Sequence, residues 1–164
     1  MDNITLLIII GIIFLFIFCW GLWQRAYNKD AIYIKKALRE AAQKNSKVGT
    51  YMSKWRMWRI WLKIRRIHKL NEEIIGTLRR HPNRFSVADK FFSLYLDSSL
   101  QVLGNYHTLV SQPVRNPDVQ RSINDSERSL DNIIKGLEGE LVLILHTEIQ
   151  SVETEKEVLG KHSR

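Results

Sequence analysis

The side chains that could move protons or hold a metal are scattered through this chain. The five histidines, His68, His81, His107, His146 and His162, follow no ligand spacing, and neither an H-E-x-x-H pair nor a paired-carboxylate metal motif occurs. His107 and His146 fall within helical apolar stripes and read as residues of a helical bundle, while Asp89 and Asp97 read as water-facing or helix-capping. The eight glycines are isolated or nearly so, so no glycine-rich loop is present to cradle a phosphate. Cys19 is the only cysteine and lies within an apolar run, which excludes disulfides and cysteine-based metal sites. From these residues the chain is expected to carry no catalytic, cofactor-binding or metal-ligating residue, and no cofactor.

Spacing with chemical meaning is found instead in residues 50–80. Arg56, Arg59, Lys63 and Arg66 recur at intervals of three and four, and Trp55, Trp58 and Trp61 are interleaved with them. Met57, Ile60, Trp61, Ile64, Ile67, Ile74 and Leu78 form an apolar stripe of helical period over the same stretch. A helix with an apolar face, a cationic face and indole rings at the boundary suits a membrane surface, because indoles settle at headgroup depth. Trp55, Arg56, Trp58, Arg59, Trp61, Lys63 and Arg66 are therefore the candidate membrane-surface residues, with anionic lipid headgroups as partner. The competing reading makes the stripe domain core and the charges its solvated side, and both can hold if residues 53–66 serve the surface and 67–80 the core. Nucleic acid is the weaker partner, since the tryptophans are spaced for an interface rather than as a base-stacking platform.

What must position this segment begins with Ile4–Trp23, a run of 20 residues without charge or proline. At 1.5 Å rise per residue, such a run spans a hydrocarbon layer about 30 Å thick. Arg25, Lys29, Lys35, Lys36, Arg39 and Lys44 follow it, whereas only Met1, Asp2 and Asn3 precede it, so the expected topology is single-pass with the N-terminus outside and the C-terminal domain in the cytoplasm. A cleaved signal would need a basic n-region and a small-residue cleavage site, and Phe16-Ile17-Phe18 before Cys19 does not suit a lipoprotein. The charge is polarised: residues 24–84 hold 17 Lys/Arg against 4 Asp/Glu, and residues 85–164 hold 8 against 12.

Beyond the anchor, residues 26–44 are rich in helix formers, and Asn45-Ser46-Lys47 with Gly49 reads as a turn. A helix over 50–80 is expected to stop at His81-Pro82. Ser86 with Asp89 reads as a capping box for a helix running to Val110. Asn116 as N-cap and Pro117 as first helical residue then start a long helix with a near-heptad stripe from Val119 to Val152. No stretch reads as a strand. The expected fold is all-α: a single N-terminal transmembrane helix, a basic juxtamembrane helix and an antiparallel three-helix bundle. The corresponding domains are 1–24 anchor, 25–49 juxtamembrane segment, 50–159 helical bundle and 160–164 tail.

The stretch from Arg84 to Leu109, followed by a proline-bearing loop and a long helix ending HTEIQSVETEKEVL, resembles the XpaC family of 5-bromo-4-chloroindolyl phosphate hydrolysis proteins. The pattern F-x-x-Y-L-x-x-x-L-x-x-L-x-x-Y is carried by Phe92, Tyr95, Leu96, Leu100, Leu103 and Tyr106, all packing residues, and KIRRIHKLNEEI at 63–74 is similar to the family's lead-in. The resemblance implies a protein of the bacterial cytoplasmic membrane, linked to envelope stress or toxic-anion resistance, with a TelA-like toxic-anion-resistance protein as partner. The expected function is that of a membrane-anchored, non-enzymatic adaptor. The alternatives are a phosphate-ester hydrolase or its activator, or a scaffold self-assembling through Ile123–Val152.

Overall fold

A computed structural model describes the backbone of residues 30–113 and 116–162, and side chains as far as His146. The expected anchor over 4–23 and the family-like tail after residue 146 fall wholly or in part outside these limits. Among the described residues no helix is long and apolar enough to cross a membrane, and there is no strand. The chain divides into two compact units, Met1–Lys36 and Ala37–Arg164. In the first, residues 30–36 are helical. The second is an all-helical bundle: α1 (residues 37–50), α2 (Trp61–Arg80), α3 (Leu96–Ser111) and α4 (Pro117–His162).

The juxtamembrane helix expected before the three-helix bundle is present as α1, which packs as a fourth helix of the same unit. It runs through the supposed turn at 45–49 because tertiary contacts outweigh local propensity. Val48 is fully buried, the buried Asn45 donates its amide to the His68 carbonyl at 3.1 Å, and Asn71 donates to Asn45 Oδ1 at 3.0 Å. Poor helix formers cost about 0.7–1 kcal/mol each, and the two buried amide hydrogen bonds with a buried valine offset that. Gly49 helps, since a Cβ there would stand 3.0 Å from the His68 ring.

Residues 50–80 do not form one helix either. A 3-10 turn at Tyr51–Ser53 ends at Lys54, whose backbone is extended, and a 3-10 helix at Trp55–Ile60 leads into α2. The sequence Trp55-Arg56-Met57-Trp58-Arg59-Ile60 repeats aromatic, arginine, aliphatic with a period of three. In a helix of three residues per turn, positions i and i+3 eclipse, so the repeat sorts itself onto three faces. Met57 and Ile60 are the buried face. From Ile60 onward the buried positions Ile64, Ile67, Leu70, Ile74 and Leu78 advance by three and four, which is the α period.

After Arg80 a 3-10 helix, Pro82–Ala88, replaces the expected capping box: Ser86 lies inside it and makes no cap bond. A π-helical turn at Phe91–Tyr95 follows. The buried positions Ala88, Phe91, Leu96, Ser99, Leu103 and Tyr106 advance by three, five, three, four and three, and the step of five is that turn. α4 begins as expected, with Val119 N donating to Asn116 Oδ1 at 2.8 Å and Pro117 first in the helix. Its buried stripe is Ile123, Leu130, Ile133, Leu137, Glu140 and Ile144.

Ion pairs give the helix directions. Arg59, Lys63 and Arg66 meet Glu127, Asp131 and Glu138 in ascending order, so α2 and α4 run parallel. Tyr106 meets Glu127 and Tyr95 meets Gly136, so α3 and α4 run antiparallel. Helices adjacent in the chain alternate in direction, as short connections require.

Candidate functional site

The 3-10 helix and the first turns of α2 present the most unusual surface of the unit. Trp55 and Trp58, eclipsed on one face, are 77% and 73% exposed, and Leu62 is 72% exposed. Leu62, Arg65 and Lys69 continue the line of Trp58 at spacings of four, three and four, so an aromatic and aliphatic edge merges into a cationic one. The Arg65 guanidinium lies 5.5 Å from the centroid of the Trp61 ring, within cation–π range. Exposed tryptophans so close together are rare on a water-facing surface.

The cations on the second face reach across to α4. Arg66 donates to Glu138 Oε1 from Nη2 at 2.7 Å and from Nε at 3.1 Å, and Lys63 Nζ lies 2.8 Å from Asp131 Oδ2 and 3.0 Å from the Glu127 carbonyl. Arg59 Nη2 lies 3.3 Å from Glu127 Oε1, the oxygen that also accepts the Tyr106 hydroxyl at 3.1 Å. Arg56 is different. It donates to the Ser111 carbonyl at 3.0 Å and lies 5.2 Å from the Trp55 ring, and among the described residues no carboxylate is paired with it. Of the seven sequence candidates, then, Trp55 and Trp58 are the exposed pair, Trp61 carries Arg65, and Lys63 and Arg66 clamp α2 to α4. Leu62 and Arg65 extend the edge without having been singled out, although they share its spacing.

Between this 3-10 helix and the end of α3 lies a groove of about 340 Å³, lined by Trp55, Arg56, Trp58, Arg59, Tyr106 and Pro113 among others. Nearby, His107 stands edge-on to Tyr51 at 6.3 Å between centroids. Burial, then the charges of Lys54 and Arg56, push the His107 imidazole below its ordinary pKa. Lys54 itself lies 4.4 Å over the Tyr51 ring.

The family-like motif is a packing motif here. Leu96, Leu103 and Tyr106 are buried, and Phe92, Tyr95 and Leu100 are half-buried. Phe92 stacks tilted on Phe85 at 4.7 Å. One chemically distinctive residue escaped the sequence reading. Glu140 occupies an apolar stripe position on α4, is 6% exposed, and leaves Oε2 without a hydrogen bond. Burial raises its pKa, opposed by Lys90 and the Phe91 amide and reinforced by Asp89. His68 faces Glu72 at 3.6 Å on α2, His107 is on α3 and the exposed His146 is on α4. Among the described residues no group of three His, Cys, Asp or Glu could hold a metal ion.

These features define a helical-bundle protein with an exposed aromatic and basic edge. Residues 3–159 match the family described as "5-bromo-4-chloroindolyl phosphate hydrolysis protein". The chain belongs to that family, the XpaC family. It is 30% identical to protein XpaC of Bacillus subtilis (strain 168) over 143 residues, which are 83% of this chain and 66% of that relative. This chain thus spans just under two thirds of the relative's length. No solved structure matches it.

Proposed function

We propose that this protein is a membrane-anchored, non-enzymatic interaction protein whose bundle lies against anionic lipid by its tryptophan edge and offers its remaining faces to a cytoplasmic partner. The observation that carries the reading is the exposed line Trp55, Trp58, Leu62 merging into Arg65 and Lys69. Indole and aliphatic side chains enter the headgroup region while Arg and Lys meet lipid phosphates, each cation contributing about 1 kcal/mol. The apolar run Ile4–Trp23 supplies a tether that keeps such a surface at the bilayer. The partner proposed from the family resemblance is a TelA-like protein, and the site of action is the bacterial cytoplasmic membrane with the bundle inside.

The test is co-sedimentation of the compact unit 37–164 with phosphatidylcholine vesicles, with and without phosphatidylglycerol. Binding that requires the anionic lipid and is lost in Trp58→Ser and Arg65→Gln supports the reading. Equal partitioning of wild type and variants overturns the lipid contact.

Self-assembly is favoured by a different observation. Val142 and Leu145 are exposed on α4, on either side of the buried Ile144. A concentration-independent monomer in sedimentation equilibrium would remove this second reading.

A further inference from the structure

We propose that the groove between the 3-10 helix and the end of α3 is a binding site for a phosphate group, recognised by Arg56 and Arg59 and flanked by the indoles of Trp55 and Trp58. The proposal rests on the membrane-facing reading only for the source of the phosphate, which is either a lipid headgroup or a soluble phosphomonoester.

Charge is the first support. Lys54, Arg56 and Arg59 cluster in one short stretch, and Glu127 is the one carboxylate paired with any of them among the described residues. That carboxylate is shared with Tyr106. By contrast, Lys63 and Arg66 further along the same ladder each have an acid of their own. Arg56 is held by a carbonyl and a ring, contacts that orient a guanidinium without neutralising it. The remaining N–H groups of a guanidinium fixed in this way suit bidentate phosphate recognition.

Shape is the second support. The groove holds about 340 Å³, room for a phosphate with its ester substituent, and its two exposed indoles give that substituent an aromatic wall. Local potential is the third: Lys54 and Arg56 are the two charges that disfavour a proton on neighbouring His107. A bound phosphate dianion would offset them, so His107 reports on occupancy without touching the ligand.

The experiment uses the full chain in nanodiscs, with His107 followed by NMR titration. In phosphatidylcholine discs, phenyl phosphate and inorganic phosphate are added; in a second set, one lipid in ten is phosphatidic acid. The expected result is an upward shift of the His107 pKa in at least one arm. A shift with phenyl phosphate identifies a soluble phosphomonoester as a competent ligand, and a shift confined to phosphatidic acid discs identifies the lipid headgroup. Arg56→Gln and Trp58→Ala should each weaken binding about tenfold, the loss of one charge-assisted contact or one stacking face. Arg79→Gln, an exposed cation near the end of α2 that belongs neither to the groove nor to the tryptophan edge, should leave it unchanged. No shift in either arm overturns the proposal, and so does an Arg79→Gln variant as weak as Arg56→Gln, which would mean diffuse attraction. Should the compact unit ignore anionic vesicles while phenyl phosphate still moves His107, the membrane reading falls and the groove stands.

Discussion

The ring of Tyr95 fills the space that a side chain on Gly136 would occupy: a Cβ built there overlaps Cε1, Cζ and the hydroxyl oxygen of the tyrosine. Tyr95 closes the π-helical turn, and the turn's extra residue swings the buried face from Phe91 to Leu96 while aiming the ring at α4. Gly136→Ala should therefore destabilise the bundle by about 1–2 kcal/mol, because the overlap outweighs the gain of about 1 kcal/mol in helix propensity. Gly139 is the control on the same helix, since nothing stands within 4 Å of a Cβ there. Gly139→Ala should raise stability by up to about 1 kcal/mol. Urea unfolding of both variants of unit 37–164 checks the pair, and equal effects at the two sites would refute the packing role of Tyr95.

Glu140 sets an opposite expectation for pH. Its folded-state pKa is raised, chiefly by burial, so the folded protein holds the proton more tightly than the unfolded chain. Stability on its account is fully present below the unfolded pKa near 4.5 and is lost as pH rises through the folded value. Glu140→Gln removes the charge while keeping an oxygen for the Phe91 amide. It should add about 1 kcal/mol to unfolding stability at pH 7, with the advantage shrinking as pH falls through the raised folded value and gone below about 4.5. An advantage that stays constant from pH 7 to pH 4 would show that the carboxylate is solvated in the fold.

The ladder joining α2 to α4 is well formed but exposed: side chains of Arg66 and Glu138 are 54% and 42% accessible. Arg66→Gln should cost at most about 0.5 kcal/mol, and 1 M salt should erase the difference. Ile64, on the same helix and fully buried, should cost about 2–5 kcal/mol when changed to Ala. Guanidinium chloride, itself a salt, would mask the comparison, so urea is the denaturant of choice. If Arg66→Gln costs as much as Ile64→Ala, the ion pairs rather than the apolar seam tie these helices.

Much of this was legible in the sequence. The period of Ile64, Ile67, Ile74 and Leu78, the cap at Asn116-Pro117 and the stripe from Ile123 to Ile144 each state a helix through local pattern alone. The turn assigned to Asn45–Gly49 failed because Asn45 is satisfied by His68 and Asn71, residues 23 and 26 positions away, which no window centred on Asn45 includes. The repeat Trp55-Arg56-Met57-Trp58-Arg59-Ile60 is strict at period three and forms a 3-10 helix, whereas the apolar stripe over 50–80 as a whole carries the α period. The groove itself was not legible, since it needs Tyr106 and Pro113 brought against Arg56 by the return of α3.

That same return places His107 where the charge on the 3-10 segment can be measured directly. Burial is the largest cause of its lowered pKa, and Lys54 and Arg56 are the next two. A histidine whose folded pKa is depressed contributes stability that is complete above the unfolded value of 6.5 and declines as pH falls below it, because the unfolded chain takes the proton more readily. Lys54→Gln should raise the His107 pKa part of the way toward 6.5, leaving the contribution of burial in place, and should make the loss of stability between pH 7.5 and pH 5.5 shallower. Lys69→Gln, a charge change on α2 that does not act on His107, should alter neither. NMR titration of the imidazole with urea midpoints at the two pH values checks both effects. A His107 pKa indifferent to Lys54 would mean that the positive potential of this segment is screened by water, and the electrostatic case for a phosphate in the groove would lose its main support.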